Sequence, residues 1–294
     1  MNFFSLLLLL LLSLSAVQGK AGEQGKLQVF VSILPQKYFV ERIGGEHVQV
    51  AVLVGPGQSP STFEPLPRQI AALAAARLYY RIGVPFEEVW MGHIVEANPS
   101  MAVLDARNGL VLRQMESAGV HSHSLEPDHS PQGEPDPHVW LDPLRVKSML
   151  SRLRDRLSEL DPRHQADFDQ NYQRFAAELD ALDQEIRQRL SVLGSRNIMV
   201  FHPSWGYFTD RYGLRQIPIQ IEGKGPGGRT LARLIDQARA EQIRVIFVQR
   251  QFSQAQAKVV AEAVGARIFA IDPLALDYPA NLRRVADAIA EAAQ

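Results

Sequence analysis

Residues 161–194 read DPRHQADFDQNYQRFAAELDALDQEIRQRLSVLG, and after Pro162 no Gly or Pro interrupts the run until Gly194. Phe168, Tyr172, Phe175, Leu179, Leu182, Ile186 and Leu190 recur three or four apart, the spacing of one apolar helix face. Asp161-Pro162 supplies a cap residue and a first-turn proline. A single helix over the stretch would extend roughly 45–50 Å at 1.5 Å per residue, longer than one small domain needs. It is therefore expected to tie two halves of the chain together.

On both sides the sequence alternates short apolar runs with helical spacing. Before the long segment, strands are expected at Leu27 to Leu34, Val48 to Val54, Leu78 to Ile82 and Ala102 to Leu104, with helices at Gln36 to Ile43, Pro67 to Ala76, Phe86 to Ala97 and Leu144 to Leu160. After it, strands are expected at Asn197 to Phe201, Gln216 to Ile221, Val245 to Val248 and Arg267 to Ile271. Helices are expected there at Trp205 to Tyr212, Thr230 to Ala240, Gln254 to Val264 and Pro279 to Ala293. This rhythm belongs to parallel sheets covered on both faces, an α/β fold. A chain of 294 residues also exceeds one ordinary core. The expected organisation is an N-terminal lobe over 20–160, a linker helix over 161–194 and a C-terminal lobe over 195–294.

The first 19 residues read as a secretory signal: Leu6 to Leu12 sits in an apolar run too short for an ordinary membrane span, and Val17 and Gly19 suit cleavage before Lys20. The start lacks the usual Lys or Arg, so an uncleaved anchor stays an alternative. With no cysteine in the sequence, disulfides, thiolate ligands and a lipid-bearing Cys are excluded. A freely diffusing periplasmic protein is the expectation, monomeric, with no nucleic-acid partner at a formal net charge of −1.

Three segments place a metal-competent side chain beside a proline that ends regular structure. Phe201-His202-Pro203 and Ile271-Asp272-Pro273 each close a strand, and a residue before proline is held extended, here at the carboxyl edge of the sheet where α/β proteins bind ligands. His138 lies in Asp136-Pro137-His138-Val139-Trp140-Leu141-Asp142-Pro143, where Asp142 is a plausible helix cap. Imidazole and carboxylate suit Zn²⁺, and also Mn²⁺ or Fe²⁺. Spacing alone leaves the alternative open that these are hydrogen-bonded structural histidines and a turn-forming aspartate.

Taken together, Val31 to Pro35, Gly55-Pro56-Gly57 with Thr62-Phe63-Glu64-Pro65, Asp136 to Pro143, His202 with Tyr207-Phe208 and Tyr212-Gly213-Leu214, and Asp272-Pro273-Leu274 resemble the metal-binding solute-binding proteins of zinc and manganese ABC transporters. The resemblance implies two α/β lobes joined by one long rigid helix, with the ion in the cleft and an inner-membrane ABC permease as partner. It implies His138, His202 and Asp272 as ligands. Where the family has a further histidine this chain has Ser61, and a serine hydroxyl is a poor zinc ligand. Glu222 is a candidate replacement, more often solvated or paired with Lys224 in such a loop, and Glu64 a residue that orients the region. His121, His123 and His129, in the polar stretch 117–136, resemble a metal-gathering loop, the alternative being a solvated one. A periplasmic metal chaperone or adhesion-type protein, and less so a zinc-dependent hydrolase, are the competing readings.

Overall fold

Alternating apolar strands and helices build two four-stranded parallel sheets, seen in a computed structural model that describes residues 25–116, 134–220, 225–252 and 254–293. The first sheet holds β1 (Leu27–Val31), β2 (Val48–Val52), β3 (Leu78–Arg81) and β4 (Ala102–Asp105) in the order β2-β1-β3-β4. Its helices are α1 (Leu34–Gly44), α2 (Pro67–Ala72), α3 (Pro85–Ala97) and α4 (Pro143–Leu160). The second holds β5 (Asn197–Val200), β6 (Arg215–Pro218), β7 (Val245–Val248) and β8 (Arg267–Ala270) in the order β6-β5-β7-β8. With it go α6 (Gly206–Tyr212), α7 (Gly228–Ala240), α8 (Ala255–Val264) and α9 (Tyr278–Ala292). Every strand pair in both sheets is parallel, which explains the nearly unbroken apolar runs.

Between the sheets runs α5 (Gln165–Leu190), which buries Phe168, Phe175, Leu179, Leu182, Ile186 and Leu190. It packs on α1 and α4 from the first lobe and on α9 from the second. Phe39 of α1 meets Phe175 at 6.3 Å and Tyr278 of α9 at 4.9 Å, so aromatic packing is continuous from lobe to lobe. The helix is shorter than the 161–194 reading. Pro162–His164 forms a 3-10 turn, and the 26 residues of α5 span about 39 Å. Asp161 does not cap it, because that carboxylate is taken by His164 Nδ1 at 2.7 Å and Arg163 Nε at 3.3 Å. Asp142 does cap α4, accepting from the backbone N–H of Leu144 at 2.8 Å.

In both sheets the strand order reverses beside the first strand, between β1 and β3 and between β5 and β7. Loops leaving those strands therefore diverge and open a crevice at the carboxyl edge. No helix among the described residues is long and apolar enough to cross a membrane. The signal segment, Glu222 and the three loop histidines lie outside the described residues.

Candidate metal centre

His202 lies two residues beyond the end of β5, and the segments that follow the neighbouring strands supply its partners. Gln249, after β7, accepts from the His202 N–H at 3.2 Å and donates to its carbonyl at 3.0 Å. Gln220, after β6, places its side-chain oxygen 2.7 Å from His202 Nδ1. An amide oxygen only accepts, so Nδ1 carries the proton and Nε2 keeps its lone pair. Phe252 stacks on the ring at 4.8 Å. Burial is the main reason the imidazole pKa is pushed down to about 4, with His138 adding to the effect and Gln220 and Asp136 opposing it. The ring is thus neutral at pH 7, the form that binds a metal.

His138 reaches the same place from the other lobe, at the start of the 3-10 turn Val139–Leu141. The fully buried Asp136 carboxylate accepts from the His138 backbone N–H at 3.0 Å and lies 2.7 Å from its Nδ1. A carboxylate that takes Nδ1–H fixes the tautomer and leaves the Nε2 lone pair free to bind a metal. The two imidazoles meet nearly edge to face, with ring centroids 5.3 Å apart. Trp140 crosses between lobes, its indole N–H donating to the Pro273 carbonyl at 2.8 Å.

Both histidines line one cavity of about 280 Å³. Ser59 to Ser61 and Gly83 to Pro85 wall it from the first lobe, and Gln251, Phe252, Pro273 and Leu274 from the second. Gly83 is in the left-handed region at φ 79°, and a Cβ there would fall 1.8 Å from Arg107 Nη1. The turn that forms this wall therefore requires glycine.

Of the residues singled out in the sequence, the structure brings together His138, His202 and Ser61. It does not place Asp272 with them: its carboxylate oxygen accepts from Gln251 Nε2 at 3.0 Å and the Leu274 N–H at 2.9 Å, and the side chain borders a neighbouring groove. Glu64 is exposed and outside the cavity wall. Among the described residues, no three His, Cys, Asp or Glu side chains are grouped closely enough to hold an ion. Gln220 and Gln249 were not legible in advance, since only the adjacency of β5, β6 and β7 brings them to His202. Asp136 carried a signal, two residues before His138 across a proline.

The profile of the family described as "ZnuA: Zinc-uptake complex component A periplasmic" matches residues 29–292. The chain belongs to the ZnuA family. It is 27% identical over 271 residues to the high-affinity zinc uptake system protein ZnuA of Bacillus subtilis, covering 88% of this chain and 82% of that protein. It is also 27% identical over 282 residues to the zinc-binding lipoprotein AdcA of Streptococcus pneumoniae serotype 4, covering 93% of this chain but spanning only 56% of AdcA. A crystal structure of ZnuA superposes with a TM-score of 0.85 at 39% identity, covering 92% of this chain and all of that one. Two parallel-sheet lobes joined by one long helix are thus the ZnuA-type fold, and the solute-binding reading of the motifs is borne out.

Proposed function

We propose that this protein captures a divalent transition metal, zinc first and manganese or iron second, in the interlobe cavity and hands it to an ABC permease. One observation carries the reading: two imidazoles from different lobes line one cavity, each with Nδ1 tied to an acceptor and Nε2 left to donate. That is how metal-ligating histidines are held. The chain's membership of a zinc-uptake family and the zinc-related names of its relatives support zinc as cargo.

His138 and His202 are the proposed nitrogen ligands. Asp272 and Glu222 are the proposed carboxylate donors; the two residues that hold the Asp272 carboxylate, Gln251 and Leu274, both wall the cavity. Ser61 lines the site as a hydrogen-bonding residue. His121, His123 and His129 gather metal for it, and export to the periplasm puts the protein where uptake begins. Binding is reversible and involves no turnover, as transport requires.

Competitive titration of the metal-stripped chain with zinc should give one tight site. His138→Ala with His202→Ala should abolish it, and Asp272→Ala should weaken it by about 10–100-fold. Unchanged stoichiometry and affinity in the double variant would overturn the assignment.

A further inference from the structure

Arg113 belongs to neither the motifs nor the cavity wall, yet its guanidinium touches both the carboxylate that holds His138 and the helix that follows His202. It lies in the segment after β4, where Gln114 pairs with Pro135 and the Asp136 N–H donates to the Arg113 carbonyl at 2.8 Å. Its Nη1 donates to Asp136 Oδ2 at 3.3 Å, the second oxygen of the carboxylate whose first oxygen holds His138. Its Nη2 donates to Glu116 at 2.5 Å.

The same group is seated on α6 in the other lobe, the helix that begins four residues after His202. Arg113 Nε lies 3.1 Å from Asp210 Oδ2, an ion pair without hydrogen-bond alignment. A Cβ at Gly206 would fall 1.2 Å from Arg113 Nη1, so this position is open to the guanidinium only as glycine. The Tyr207 hydroxyl accepts from the Arg113 N–H at 3.0 Å and donates to the Asp136 carbonyl at 2.9 Å. Gly206, Tyr207 and Asp210 thus form a receptor for one arginine of the opposite lobe.

We propose that Arg113 is a positioning residue for metal capture, an interlobe clasp that sets the separation of the His138 and His202 arms. The proposal rests on the zinc-binding reading of those histidines. Zinc–imidazole bonds of about 2.0–2.1 Å fix how far apart two donor nitrogens can stand, so arms on separate lobes need a common reference. A guanidinium supplies one, hydrogen-bonded to Asp136 and ion-paired with Asp210 at once.

The sign of the effect separates positioning from simple electrostatics. Removing a positive charge near a cation site should strengthen binding by Coulomb attraction alone. Loss of the clasp weakens it. Zinc alone is titrated into the metal-stripped full chain and its Arg113→Ala, Arg113→Lys, Gly206→Ala and Asp210→Ala variants by chelator competition, with melting of each apo form alongside.

Arg113→Ala is expected to weaken zinc about 10–100-fold. Gly206→Ala should do the same by displacing the guanidinium, and Arg113→Lys should recover little, since an ammonium lacks the fork. Asp210, 61% exposed, can be changed without threatening the fold; Asp210→Ala should weaken binding and combine less than additively with Arg113→Ala. Equal or tighter zinc binding in Arg113→Ala, or full additivity of the pair, overturns the clasp while leaving the function intact. An unmodified chain that binds no zinc overturns the functional reading and the clasp with it.

Discussion

At the level of single residues, the site depends on turning two imidazoles correctly and on keeping the His202 ring neutral. The His202 pKa falls from 6.5 to about 4, mainly through burial. Between those values the unfolded imidazole binds a proton that the folded one refuses, so stability of the metal-free chain must fall as pH drops from about 6.5 to 4. At about 1.4 kcal/mol per unit the ceiling is about 3–4 kcal/mol, and solvent reaching the ring through the cavity lowers it. Urea unfolding of the apo chain at stepped pH should show this loss, and His202→Gln should flatten it. An unaltered pH slope in that variant would show that the acid sensitivity lies elsewhere. Zinc, which needs the neutral ring, should protect the native chain across the upper part of the same window.

Among the elements, α5 has the most to hold, since its buried face serves α1, α4 and α9 together. Leu179→Ala should cost about 2–5 kcal/mol, read from the denaturation midpoint, because the fully buried side chain leaves a cavity when it is removed. Losing the Asp142 cap of α4 should cost about 1 kcal/mol, since Asp142→Ala strands the Leu144 N–H. The helix face was legible because Phe168 to Leu190 is a local periodic signal, and the cap because it precedes Pro143. The helix start was not: Asp161-Pro162 has the form of a cap, but His164 and Arg163 compete for the carboxylate and a 3-10 turn results. His138 and His202 were readable from their proline-flanked strand and turn ends. Asp272 looked equivalent by the same rule, yet Gln251 and Leu274 hold its carboxylate away, a contact between loops that no local pattern records.

For the whole molecule, packing limits how capture can occur. A single apolar core includes α1, α4, α5 and α9 and so runs through both lobes, while a second lies within the C-terminal lobe. Wide hinge opening would separate Phe39 from Tyr278 and expose that shared core, at about 25 cal/mol for each Å² of apolar surface. The cheaper motion is at the cavity rim, in the loops after the strands. Zinc should therefore change the solution radius of gyration very little while stabilising the fold strongly. At zinc a thousandfold above Kd the gain is about 4 kcal/mol, or roughly 8–15 °C in melting temperature for a chain of this size. Small-angle scattering and calorimetry on the same zinc-loaded and stripped samples read both quantities. A large compaction with zinc would mean that the lobes move as separate bodies and that the packing of α5 on both is not maintained in solution. A negligible melting shift at saturating zinc would mean that the ion does not bind the native chain in preference to the unfolded one.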